Sequence, residues 1–231
     1  MRRSLERLAE KALTLAYREA DHAEHYRRVM LVRSLIRGFA GMPLTNTPED
    51  GLPIYEQLAA IIGFDGTQDI LDFGCGEAGV GIHFARALTS GTYHGVDISP
   101  PALETADRRL SSMENAKVSL IIQTGDVHGQ FDFIIAQSVF THCPLSVLGE
   151  FLDMARRCLK PKGTAYVTFA VSDMPRQIAQ TDYIYSVRQI ESVARSRGFN
   201  STIVEEWVHP TQAKRAPDAP VDTLFRFTTT N

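Results

Sequence analysis

The chain has 231 residues, 44% hydrophobic and 22% charged, enough for a sizeable core. No run of about 18 apolar residues occurs, which argues against a membrane-spanning helix. The formal net charge of −3 gives no reason to expect a nucleic-acid or membrane surface, although residues 1–40 carry nine Lys/Arg against five Asp/Glu. Cys75, Cys143 and Cys158 form no Cys-x-x-Cys pair, so a disulfide framework or zinc site is not expected and a reducing, cytoplasmic compartment is.

Arg2 and Arg3 imitate the start of a signal peptide, but Glu6, Arg7, Glu10 and Lys11 interrupt what should be its apolar region. Residues 4–40 are helical by spacing, with Leu5, Leu8, Ala12 and Leu15 on one stripe and Val29, Met30, Val32 and Ile36 on another. Pro43, Asn46, Pro48, Gly51 and Pro53 then mark a loop over 41–53, followed by a helix from Pro53 to Ile62. The expected division is a helical arm and linker over 1–52 and a main domain over 53–231. From residue 68, strands at 68–73, 92–97, 117–122, 131–136 and 164–170 alternate with helices at 77–89, 100–112, 145–159 and 186–197. Lys160-Pro-Lys-Gly163 reads as a turn, and two β-rich stretches at 201–208 and 222–229 close the chain. This predicts an α/β, doubly wound, mostly parallel sheet of seven strands, with ligands at the carboxyl ends of the strands.

The densest signal lies at residues 68–79, where an apolar strand enters three glycines. Gly74-x-Gly76-x-x-Gly79 is literally the dinucleotide fingerprint. Asp72 before it and Glu77 within it would oppose a pyrophosphate at a helix start. They suit a phosphate-free ligand carrying positive charge, such as S-adenosylmethionine; the plainer alternative makes Glu77 a first-turn acid and Asp72 a turn former. Asp97 ends the second strand and is placed to accept from ribose hydroxyls, or else to cap the following helix. Asp126, in Thr124-Gly125-Asp126-Val127, either faces an adenine amino group or belongs to a plain Gly-Asp turn. The fourth strand runs into Gln137-Ser138-Val139-Phe140-Thr141-His142-Cys143-Pro144, an edge that faces both cofactor and acceptor.

Taken in order, these segments resemble the class I S-adenosylmethionine-dependent methyltransferases over about residues 53–230. Leu71-Asp72-x-Gly74-x-Gly76 is similar to the family's first motif, Gly95-Val96-Asp97-Ile98-Ser99 to its second, and Gly125-Asp126 to its third. Phe131 to Ile135 with Ser138 to His142 is similar to the fourth, and Leu159-Lys160-Pro161-Lys162-Gly163 to the fifth. The resemblance implies a methionine site at Asp72, Gly74, Cys75 and Gly76, with Gln137 and Ser138 lining it. Asp97 and Ile98 would take the ribose, and Asp126 and Val127 the adenine. No metal ligands are expected. Ala78 departs from the family, which usually has glycine two residues after Gly76.

The Asn/Asp-Pro-Pro-aromatic tetrapeptide of enzymes that methylate base amino groups is absent. The Ser-Val-Phe-Thr-His form is similar to bacterial enzymes acting on small molecules or glycans, so a hydroxyl acceptor is expected and nucleic acid is not. His142 is the candidate general base; its alternative role is to hold the loop by hydrogen bonding. His83 and His94 read as packing residues. His22, His25 and Tyr26 share a helical face that is either a lid, a solvated arm or a homodimer contact. Tyr183, Tyr185, Trp207 and His209 are candidates for the acceptor rim. Two other functions compete: an NAD(P)-dependent oxidoreductase using the glycine turn, and a non-catalytic partner subunit that kept the fold.

Overall fold

A computed structural model describes residues 24, 26–31, 46–121, 123–179, 182–210 and 220–230. Most of the helical pattern over 4–40, with His22 and His25, lies outside these residues, as does the stretch 211–219. Within the arm, residues 26–31 are helical.

Helix α1 spans Pro48–Ile62 and so starts five residues before the expected Pro53. The signal was Thr47-Pro48-Glu49-Asp50. Thr47 Oγ1 accepts from the Asp50 amide at 3.2 Å, and Asp50 Oδ2 accepts from the Thr47 amide at 3.3 Å. That reciprocal capping box, with proline at the first helical position, outweighs Gly51 and Pro53. Gly63, at φ 65°, ends the helix in the left-handed region.

The remaining elements are β1 (Ile70–Phe73), α2 (Gly81–Ala87), β2 (Tyr93–Asp97), α3 (Pro100–Leu110) and β3 (Ala116–Leu120). A 3₁₀ turn at Thr124–Asp126 leads to β4 (Phe131–Ala136), α4 (Leu145–Cys158) and β5 (Leu159–Val171). The chain continues through β6 (Arg176–Ala179), β7 (Asp182–Ile184), α5 (Val187–Ser196), β8 (Phe199–Ile203) and β9 (Val221–Thr229). Seven strands form one sheet in the order β3-β2-β1-β4-β5-β9-β8. Strand β9 runs antiparallel to both neighbours, and the other pairs are parallel. The order reverses between β1 and β4, which puts the crevice at their carboxyl ends.

Alternate residues of the central strands feed cores on opposite faces of the sheet. Leu71 and Ile134 join Phe151, Leu152 and Ala155 of α4; Ile70 and Ile135 join Leu58 of α1 and Phe84 of α2. Helix α2 is shorter than its apolar pattern because Ala78, at φ 55°, is left-handed and the helix begins only at Gly81. The expected turn at 160–163 is instead an irregularity inside β5, where the register with β4 shifts between Phe131 and Phe133 and Lys162 adopts φ 69°. The hairpin of β6 and β7 was not expected; its strands have only four and three residues, too short for a periodic pattern to announce them.

Gly81 is fixed by close approach. A Cβ there would lie 1.9 Å from the hydroxyl of Tyr93, which donates to Asp72. Glycine to alanine in a helix ordinarily stabilises by up to about 1 kcal/mol. Here Gly81→Ala is expected to destabilise by about 1–3 kcal/mol through overpacking. Thermal denaturation checks this, and an unchanged or higher Tm contradicts the contact.

Candidate active site

A cavity of about 340 Å³ opens at the carboxyl ends of β1, β2 and β4, within the range of small-ligand sites. Asp72, Gly74, Cys75 and Gly76 line it from the first turn, Asp97 and Ile98 from β2, and Gln137, Ser138 and His142 from the loop after β4. The topology thus brings together nine residues that are scattered over 71 positions of sequence, from Asp72 to His142.

The glycine turn is tied to β2. The amides of Gly74 and Cys75 donate to the Val96 carbonyl at 2.8 and 3.1 Å, and that of Gly76 to Asp97 Oδ2 at 2.9 Å. The Ala78 amide donates to the Cys75 carbonyl at 2.9 Å. Gly74 takes φ 76°, and a Cβ there would lie 2.4 Å from Val139. Gly79 serves packing as well: its Cβ would meet the Asn46 carbonyl at 2.3 Å, and a Cβ on Gly51 of α1 would meet the Gly79 carbonyl at 2.1 Å. The third glycine of the fingerprint therefore lets the start of α1 close on the turn.

Asp72 is 4% exposed and accepts from Tyr93 Oη at 2.8 Å. Burial pushes its carboxyl up to about 7; the tyrosine hydrogen bond works against this, and the nearby Asp97 adds to it. Asp97 is also raised by burial, opposed by the amides of Gly76, Ser99 and Ile98. Its Oδ1 accepts from Ser99 N at 2.8 Å, so Asp97 both faces the cavity and clamps the turn. Two buried acids thus line one cavity.

Glu77 does not line that cavity. It is buried away from the cavity beside Arg109 of α3, with Nη2–Oε2 at 3.5 Å and Arg109 Nη1 donating to the Glu77 carbonyl at 2.6 Å. Asp126 and Val127 also lie outside the lining. Asp126 turns back to accept from the Gln123 amide at 3.1 Å, closing the 3₁₀ turn, and Val127 is buried in the core. Gln123 and Thr124 take their place at the cavity wall. The polar pair that follows β3 was the available signal.

The loop after β4 is held from below by Phe140, 1% exposed, whose ring lies 5.3 Å from Phe151 and 5.4 Å from Phe169. Ser138 adopts φ 57°, and its amide donates to Thr168 Oγ1 at 2.7 Å. His142 Nδ1 lies 3.1 Å from Asp182 Oδ1. Tyr26, Met30 and Asn46 complete the lining from the N-terminal side, and the Tyr26 ring is 6.1 Å from that of His142. Burial raises the Cys75 thiol and pushes Cys143 up to about 12, so both behave as packing groups, not nucleophiles.

His83 bonds the Pro48 carbonyl at 2.7 Å, and His94, lowered to about 4 by burial, meets Ser119 Oγ at 3.0 Å; neither lines the cavity. Tyr185 is buried, stacks on Tyr183 and donates to the Cys143 carbonyl. Trp207 and His209 are buried near Asp222, away from this cavity. Among the described residues, no group of His, Cys, Asp or Glu could hold a metal ion, and no helix is long and apolar enough to cross a membrane.

The sheet is of the doubly wound class, with the cavity at the point where its strand order reverses. The family model described as a methyltransferase domain matches residues 71–165. By that match and its sheet order, the chain is similar to the class I S-adenosylmethionine-dependent methyltransferases. Among solved structures it is similar to the magnesium protoporphyrin IX methyltransferase of Synechocystis PCC 6803 with bound SAM. There the TM-score is 0.58 at 15% identity, over 92% of this chain and 98% of that one. A glycopeptide N-methyltransferase complexed with sinefungin gives a TM-score of 0.59 at 12% identity, over 78% and 94%. Among curated proteins, an uncharacterized protein of Rickettsia prowazekii is 27% identical over 107 residues, 45% of this chain and 43% of that protein. A protein named as an uncharacterized RNA methyltransferase of Streptococcus pyogenes serotype M1 is 26% identical, over 63% of this chain and 33% of its own length. The chain spans less than half the length of these curated relatives.

Proposed function

We propose that the chain transfers a methyl group from S-adenosylmethionine to a small-molecule or glycan acceptor, at a hydroxyl oxygen. The observation that carries the cofactor reading is the buried Asp72 beside a turn whose amides are already engaged. A pyrophosphate needs free N–H groups at a helix start. Here the amides of Gly74, Cys75, Gly76 and Ala78 bond within the protein, and two buried acids face the same space. The arrangement repels a dinucleotide and suits an ammonium group.

In this reading Asp72 receives the α-ammonium and Asp97 the ribose hydroxyls, while Gln123 and Thr124 flank the adenine. Gln137 and Ser138 line the methionine side. When bound, the sulfonium supplies an activated methyl carbon. The protein aligns the acceptor with it and excludes water, with Tyr26 and Met30 closing the N-terminal side. His142, at the cavity wall, accepts the proton of the acceptor hydroxyl.

The acceptor class is supported by the Ser138-Val-Phe-Thr-His142 loop, and by structural relatives whose names specify a porphyrin and a glycopeptide. The name of the Streptococcus relative points to RNA instead; the net charge of −3 favours the smaller acceptors. Three free cysteines fit a cytoplasmic setting. Isothermal titration tests the cofactor reading. S-adenosylhomocysteine is expected to bind in the micromolar range with no binding of NAD(P), and the reverse pattern would sink it.

A further inference from the structure

We propose that Asp182 is a positioning residue for methyl transfer, holding His142 in the tautomer and orientation that let its Nε2 take the acceptor's proton. This rests on the methyltransferase reading above. His142 Nδ1 and Asp182 Oδ1 are 3.1 Å apart across 40 residues of sequence. A carboxylate accepts hydrogen bonds, so the nitrogen facing it carries the hydrogen and the lone pair sits on Nε2. An imidazole at a cavity wall is thereby set up as a base, and the carboxylate stabilises the imidazolium that forms.

The backbone fixes this meeting. Tyr183 N, next to Asp182, donates to the Thr141 carbonyl, next to His142, at 2.9 Å. Tyr185 N donates to the Ala170 carbonyl at 2.9 Å, Ser172 N to the Tyr185 carbonyl at 3.0 Å, and Tyr185 Oη to the Cys143 carbonyl. The hairpin of β6 and β7 is thus pinned both to the end of β5 and to the loop that carries His142, with Phe140 anchoring that loop in the core. The side chains of His142 and Asp182 are 36% and 49% exposed. A hydrogen bond so open to solvent adds little to stability, so its place beside the cavity speaks for function.

The step balances. The acceptor oxygen forms a bond to the methyl carbon as the carbon–sulfur bond breaks, and sulfur keeps the electron pair. The hydroxyl proton passes to Nε2, leaving imidazolium against the Asp182 carboxylate.

Long-range ¹H–¹⁵N spectra of the full chain labelled at histidine, with and without S-adenosylhomocysteine, read the tautomer directly; His142→Gln assigns the signals. In the wild type Nδ1 is expected to be the protonated nitrogen. Asp182→Asn, whose carbonyl still accepts, keeps that pattern, and Asp182→Ala moves the proton to Nε2 or gives a mixture. Both variants should bind S-adenosylhomocysteine within about twofold of wild type. A wild type with Nε2 protonated, no change in Asp182→Ala, or a loss of binding in that variant overturns the proposal. Failure of the wild type to bind S-adenosylhomocysteine would sink the methyltransferase reading instead, and the tautomer would still be read in the unliganded chain.

Discussion

Asp72→Asn should weaken S-adenosylhomocysteine binding by about 100-fold or more, and the same variant should melt at a higher temperature than wild type at pH 8. Both effects come from one buried charge. Removing one partner of a desolvated, hydrogen-bonded charge pair costs about 2–5 kcal/mol of binding. Without ligand, the carboxylate is held in a site that raises it to about 7. An acid raised in the folded state contributes stability that is present below its unfolded value, near 3.8, and is lost as pH rises through about 7. At pH 8 the wild type therefore bears a destabilising charge that asparagine lacks. Asparagine still accepts from Tyr93. Calorimetry and thermal melting together decide the matter: binding kept within about threefold, or a lower Tm, would remove Asp72 as the cation receptor.

His142→Ala carries the second large effect. General-base catalysis contributes about 100-fold to 10,000-fold, so methyl transfer to a hydroxyl acceptor should fall into that range. Cofactor affinity should stay unchanged, because the predicted methionine and ribose contacts come from the ends of β1 and β2 and from Gln137 and Ser138, and His142 stands beyond these on the loop after β4. A fall of less than about tenfold at unchanged affinity would leave His142 as a loop-holding residue.

Much of this was legible in the sequence because it depends on period and punctuation. Strand β4 was read over its whole length, 131–136, since its apolar run is bounded by turn residues on both sides. Apolar strands entering glycine-rich or acidic ends placed Asp72 and Asp97 at one sheet edge. Where the structure places an acid outside the cavity lining, tertiary contact decides. Asp126 and Glu77 carry the right chemistry in the right region, but one closes a turn and the other meets Arg109 of α3, 32 residues on. Nothing local distinguishes such a carboxylate from one that faces a ligand. Asp182 was invisible for the opposite reason: the strands of its hairpin are too short for a periodic pattern, and its partner is 40 residues away. Ala78 shows the limit of pattern matching. It occupies a left-handed backbone position at 0% exposure where glycine is usual for the family, so the turn closes with alanine in place.

The most direct test of the central claim, that Asp72 receives a cation, is calorimetric titration of the wild type with S-adenosylhomocysteine at pH 6 and pH 8. At pH 6 an acid near 7 must lose its proton before it can pair with the ammonium group. Binding should therefore be about tenfold tighter at pH 8, with close to one proton released per ligand at pH 6. Affinity that is flat or weaker at pH 8, with no proton released, would contradict it.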